Sequence, residues 1–220
     1  MSDADDYVLG REYSEGLRLE TQHLLFNIHN GYTIDPKIPI SPGMKIADIG
    51  TGTGIWLLDV ARQVPSTVQL DAFDISDKQF PHKDSRPDNM SCRILDAFSQ
   101  VPDELIGVYD VVHLRLWCCI VRDCNTAALI QHATQLLKPG GYLQWDEADL
   151  DKMHIKGAEA EAVAALSRTA QAITHFDYSA AALPPREEAE ASLDALIKAI
   201  PYGAVYHWTP ASLLARKPVV

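Results

Sequence analysis

The sequence predicts an α/β protein built on a doubly wound, mainly parallel sheet, preceded by a helical lid. Three observations carry that expectation. From Lys45 onward short apolar runs alternate with helical patterns, the spacing of parallel βαβ units. The runs are apolar nearly throughout, as in Val108, Val111, Val112, Leu114 and Leu116, which suits central strands covered on both faces. A glycine-rich turn, Gly50-Thr51-Gly52-Thr53-Gly54, stands where the first run passes into the first helical pattern.

In chain order, an acidic tail precedes a helix over residues 14–30, with Leu17, Thr21, Leu24 and Ile28 on one stripe and Asn30-Gly31 as its stop signal. The segment TIDPKIPISPGM holds three prolines and reads as a tether that cannot be helical. Residues 1–40 therefore form tail, lid helix and tether. Residues 41–150 form the core: KIADIG as first strand, a helix from about Gly54 to Gln63, then VQLDAFDIS, SCRILDAF and YDVVHLRL as strands, a helix over 125–137, and GYLQWDEADL. Residues 151–220 complete the same domain with two helical patterns, around 156–176 and 186–200. An irregular tail follows, holding one short strand candidate at GAVYHW.

Charge and composition exclude several functions. Nineteen Lys and Arg against 30 Asp and Glu give a net charge of -11, the wrong sign for docking on nucleic acid or anionic lipid. The start MSDADD is polar and acidic, unlike a signal or transit peptide, and no apolar run is long enough to span a bilayer. Cys92, Cys118, Cys119 and Cys124 form no C-x-x-C pair, so free thiols in a reducing, cytoplasmic setting are expected. No spacing of His, Asp or Asn points to a metal. The remaining expectation is small-molecule chemistry, with a homo-oligomer or protein partner left open.

The glycine turn lets a ligand approach the backbone at the carboxyl end of the sheet. Asp74, twenty residues after Gly54 at the tip of the second strand, can accept hydrogen bonds from both hydroxyls of a ribose. Those features suit NAD and S-adenosylmethionine (SAM) equally. Asp48, two residues before the first glycine, separates them, because an acid there suits the amino group of a methionine moiety and would repel a diphosphate. A short-chain dehydrogenase also needs a Tyr-x-x-x-Lys pair, and Tyr142, Tyr178 and Tyr202 are followed four residues on by Asp146, Ala182 and Tyr206.

Read in order, ADIGTGTGIWLLDVA, DAFDIS, ILDAF, YDVVHLRL and LLKPGGYLQWDEAD resemble the class I SAM-dependent methyltransferases, in wording the branch of fungal secondary metabolism. RLETQH fits that branch too, and the resemblance covers roughly residues 10–150. It implies a Rossmann-like fold and methyl transfer from SAM to a small-molecule acceptor. By this resemblance Asp48, Gly50, Thr51, Gly52 and Gly54 line the methionine and ribose portion, Asp74 holds the ribose hydroxyls, and Ile75 lies against the adenine. Asp96 and Ala97 match the position that reads the adenine amino group. His113 and Arg115 face the methionine end and the acceptor, and Tyr13, Arg18, Gln22 and His23 sit in the lid. His113 reads either as a packed, cofactor-positioning histidine or as a general base, with Glu147 in the acidic cluster Asp146, Glu147 and Asp149 as the other catalytic candidate. The family ends with an antiparallel strand pair, whereas about twenty poorly patterned residues follow Ile200, so that pair is expected to be truncated or diverged. A SAM-binding protein that does not methylate, either a regulatory subunit or a rearrangement catalyst, is the alternative.

Overall fold

The computed structural model describes residues 13–121, 125–156 and 205–219. Among them, six strands form one sheet in the order β3-β2-β1-β4-β5-β6. β1 (Lys45–Ile49) lies between β2 (Gln69–Asp74) and β4 (Tyr109–Arg115), parallel to both. β3 (Met90–Ile94) pairs parallel with β2, and β5 (Leu137–Lys156) parallel with β4. The order reverses between β1 and β4, which places the crevice at their carboxyl ends.

Two compact units divide the chain. Met1–Arg115, Ala127–Asp146 and Ser212–Val220 make the first; Leu116–Thr126 and Glu147–Ala211 make the second. The first unit's core is the filling the apolar runs call for: Ile46, Leu70 and Val111 from the strands meet Trp56, Leu57 and Val60 of α2 (Ile55–Val60). Full burial of each such aliphatic side chain stabilises by about 1.5–3 kcal/mol.

Four expectations need correction. Helices do not fill every crossover: among the described residues β2 reaches β3, and β3 reaches β4, through single 3-10 turns at Lys83–Ser85 and Asp103–Leu105. α2 stops at Val60 rather than near Gln63. The C-terminal tail is not irregular, because β6 (Val205–Arg216) extends the GAVYHW candidate by eight residues and lies beside β5, which itself continues to Lys156. Gly140 faces Lys217 while Asp146 further along β5 faces Ser212, so β6 runs antiparallel at the edge, where Pro210 costs no ladder bond. The fourth correction concerns α1 (Tyr13–Asn30): the stripe of Leu17, Leu24 and Ile28 is 58%, 58% and 70% exposed. The buried face carries His23 and Phe26 instead, two residues round from the stripe and thus on the opposite side of the helix. The helical patterns at 156–176 and 186–200 lie outside the described residues, and α3 (Ala127–Leu136) precedes β5 as expected.

Candidate cofactor site

Sheet register builds the site. Asp48 of β1 is paired with His113 of β4, and on β5 Gln144 is paired with His113 and Asp146 with Arg115. One row of polar side chains therefore crosses the sheet from β1 through β4 to β5. His113 is fully buried; its Nδ1 lies 2.7 Å from an Asp48 carboxylate oxygen and its Nε2 3.1 Å from Asp146 Oδ2. Its ring stacks on Trp56 with centroids 3.8 Å apart and planes within 2°. Burial opposes its charge, but the attraction of Asp48 and the hydrogen bonds to Asp146 and Asp48 prevail and raise its pKa above the ordinary histidine range. As an imidazolium it donates from both nitrogens. The second Asp48 oxygen accepts from Thr51 Oγ1 at 2.6 Å, while Asp146 accepts from Gln144 Nε2 at 3.0 Å and from the Ser212 hydroxyl. Burial pushes the Asp146 carboxyl up, yet the hydrogen bond and charge of His113, with Ser212 and Gln144, bring it below the usual carboxylate range.

A second polar cluster ties α1 to the sheet. Arg115 donates to His23 Nδ1 at 2.9 Å; a guanidinium can only donate, so the His23 proton sits on Nε2, 3.2 Å from Asp59 Oδ2. Asp59 also accepts from Asn27 at 2.8 Å and Thr33 at 2.7 Å. Burial, then the positive charge of Arg115, lower the His23 pKa against the opposing pull of Asp59, so His23 is neutral near pH 7. Arg115 also lies over the Phe26 ring at 5.5 Å and makes no ion pair among the described residues. Two carboxylates, an imidazolium and a guanidinium thus share this end of the sheet. Arg18 is held along the helix by Glu15 at 2.7 Å and Gln22 at 2.6 Å.

The third part is the turn itself. Gly50, Gly52 and Gly54 have φ of 72°, 55° and 71°, a region costly for residues with a Cβ. A Cβ on Gly52 would stand 2.9 Å from Leu19 Cδ1 of α1, so this helix lies directly over the turn. The Gly52 amide donates to Asp74 Oδ2 at 2.9 Å and the Ser76 amide to Oδ1 at 3.2 Å, which fixes the Asp74 carboxylate beside the turn. Ile75 next to it is 60% exposed. Asp96 follows β3, its carboxylate accepting from the Phe98 amide at 2.9 Å; Ala97 is buried and Phe98 half exposed. Thr53 Oγ1 and Gln79 Nε2 are buried without a hydrogen-bond partner among the described residues. Orphaned polar atoms around a turn with three left-handed glycines are what a polar cofactor laid against the backbone would satisfy.

A family model described as a methyltransferase domain matches residues 31–190. The chain belongs to that family. The methyltransferase grgD of a Penicillium species is 38% identical over 153 residues, covering 65% of this chain and 52% of that protein. The N-methyltransferase tcpN of Claviceps purpurea is 34% identical, covering 64% of this chain and 51% of that protein. This methyltransferase domain thus spans about half the length of the curated relatives it matches. Solved structures share its fold: a chain of the Haloferax volcanii Trm112 methyltransferase activator complex (TM-score 0.55, 16% identity, covering 89% of this chain and 77% of that one) and the cyclase SpnF (TM-score 0.52, 18% identity, 97% and 87%).

Within the methyltransferase domain the first unit brings together Asp48, Gly50, Thr51, Gly52, Gly54, Asp74, His113 and Arg115, with Ile75, Asp96 and Ala97 at the neighbouring strand ends. Glu147 belongs to the second unit, where it accepts from the Cys118 amide at 3.1 Å. Tyr13 opens α1. Sequence reasoning missed Asp59, Thr33 and Gln144, which are joined across 26 residues from Thr33 to Asp59 and 111 from Thr33 to Gln144. It also missed Ser212 and the bridging use of Asp146. Their one available signal was a polar residue, such as Gln144 or Asp146, standing inside an apolar strand pattern. Among the described residues no group of three His, Cys, Asp or Glu is arranged to hold a metal ion, and no helix is long and apolar enough to cross a membrane.

Proposed function

We propose that this chain is the cofactor-binding part of a SAM-dependent methyltransferase acting on a small organic molecule of secondary metabolism. The observation that carries the reading is the glycine turn joined by hydrogen bond to Asp74 at the tip of β2, beside the reversal point of the sheet, in a chain of the methyltransferase-domain family. Bound at that turn, SAM would supply a methyl group already activated by the sulfonium charge. The protein's tasks are then to hold, orient and exclude water.

Asp74 would accept the ribose hydroxyls, with Ile75 and Ala97 offering apolar surface to the adenine. Arg115, with one hydrogen bond to neutral His23 and no ion pair among the described residues, is suited to the methionine carboxylate. We assign His113 to positioning rather than to proton abstraction: an imidazolium that donates to Asp48 and Asp146 has no lone pair for an acceptor's proton. Its charge balances the two carboxylates and sets the orientation of Asp48 toward the methionine amino group. The Claviceps relative is an N-methyltransferase, which makes amines the first acceptor class to try; a neutral amine needs no base before attack.

The test is a reaction of the chain with methyl-deuterated SAM and a small-metabolite extract, read by mass spectrometry. The reading expects a product heavier by one deuterated methyl group. It also expects the product to fade in Asp74→Ala, where loss of a charged hydrogen-bond acceptor weakens SAM by roughly 10- to 150-fold. SAM binding with no labelled product from any extract would overturn methyl transfer in favour of a cofactor-binding scaffold with other chemistry, a use that a shared fold permits.

A further inference from the structure

We propose that His23 is a positioning residue whose neutral imidazole keeps Arg115 aimed at the cofactor carboxylate and whose protonation lets that arginine go, so that cofactor capture depends on pH. The inference rests on the SAM reading. Arg115 Nη1 donates to His23 Nδ1 at 2.9 Å, the one hydrogen bond its guanidinium makes among the described residues. The Phe26 ring lies 5.5 Å from its Cζ. His23 and Phe26 stand three apart on the buried face of α1, so this helix sets the direction of the fork from two sides.

The contact works in one protonation state only. A guanidinium has donors and no lone pair, so His23 Nδ1 must be bare, and the neutral ring carries its proton on Nε2, 3.2 Å from Asp59 Oδ2. A second proton would turn Nδ1 into a donor pointed at a donor and set two like charges in contact. The charged groups facing the ring are Asp59 from α2 and Arg115 and His113 from β4; Asn27, one turn on in α1, is neutral and donates to Asp59 at 2.8 Å. Arg115 is itself drawn by Asp48 and Asp146. Burial, Arg115 and His113 oppose the charge on His23 and outweigh the pull of Asp59. Once His23 takes up a proton, its attraction to Asp59 persists while its hold on Arg115 is gone. The helix keeps that anchor, and the arginine loses its aim.

The experiment is calorimetry of the full chain and of His23→Gln with S-adenosylhomocysteine and with 5′-methylthioadenosine, which has no methionine amino or carboxylate group, between about pH 7 and pH 5. Nitrogen NMR of the wild-type histidine rings accompanies it. The wild-type affinity for S-adenosylhomocysteine should be complete above about pH 6.5 and fall as pH drops through the folded value below it, by at most about tenfold per pH unit for one proton. A glutamine carboxamide accepts from Arg115 and donates to Asp59 but takes up no proton, so His23→Gln should stay level across the range. Methylthioadenosine should stay level on both chains, and the NMR should show His23 with a bare Nδ1 near neutral pH. Parallel falls in wild type and His23→Gln, an equal fall for methylthioadenosine, or a protonated Nδ1 near neutral pH would each overturn the inference. If His23→Gln does not fold, the wild-type comparison of the two ligands and the NMR decide it. A wild-type chain that binds S-adenosylhomocysteine at no pH defeats the SAM reading and this inference with it; one that binds with level affinity throughout defeats this inference alone.

Discussion

Replacing His113 with Ala removes the keystone of the polar row. The fully buried ring stacks on Trp56 at 3.8 Å and makes hydrogen bonds of 2.7 Å to Asp48 and 3.1 Å to Asp146. Its loss leaves a ring-sized void against Trp56 and two buried carboxylates without their shared imidazolium. Removing one member of a buried ion pair costs about 3–5 kcal/mol. At about 2–4 °C per kcal/mol for a chain of this size, the transition should fall by about 6–20 °C. Thermal unfolding read at several pH values supplies a second check through its sign. Burial works against the His113 charge but the two carboxylates win, so the folded pKa is raised. The stabilisation is therefore complete below the unfolded value of about 6.5 and is lost as pH rises through the folded value. The gap between wild type and His113→Ala should be widest near pH 6 and narrow on the alkaline side. A variant melting within about 2 °C of wild type, or a gap that grows with pH, would refute the bridge.

His23 has the opposite sign: burial and Arg115 lower its pKa, so unfolding takes up a proton, and stability falls as pH drops from about 6.5 through the folded value. Urea unfolding between pH 5 and 7 should show that slope flattened in His23→Gln. Gly52→Ala should cost about 1–2 kcal/mol for its positive φ alone, and more where the new methyl meets Leu19; melting of Gly52→Ala with and without Leu19→Ala should show partial rescue by the second change. Because α1 lies over the turn, amide exchange across residues 14–30 should slow when S-adenosylhomocysteine is added. Equal exchange with and without it would make α1 packing rather than a lid.

The parts of this domain governed by local pattern were legible in the sequence. β1, β2 and β4 follow from apolar runs, and three glycines placed at a strand end leave few options but a left-handed turn, as φ values of 55° to 72° record. The acid at the tip of β2 follows from the same spacing. What periodicity could not reveal was pairing across the sheet: the bridge from Asp48 through His113 to Asp146 joins residues 65 and 33 apart. For α1 the apolar period was real but pointed outward, because its buried face is fastened by His23 and Asn27 to Asp59 rather than by aliphatic packing. The part of β6 beyond the GAVYHW candidate escaped notice since Pro210 and the polar Thr209 and Ser212 interrupt any strand pattern, and an edge strand tolerates them.

The central claim is that SAM binds between the Gly50 to Gly54 turn and Asp74. Isothermal titration of the chain with SAM, S-adenosylhomocysteine and NAD, repeated on Asp74→Ala, tests it most directly. The account predicts saturable binding of both sulfur nucleosides, none of NAD, and affinity lowered about 10- to 150-fold in Asp74→Ala. Binding of NAD in place of SAM, or SAM affinity unchanged by the loss of the Asp74 carboxylate, would contradict it.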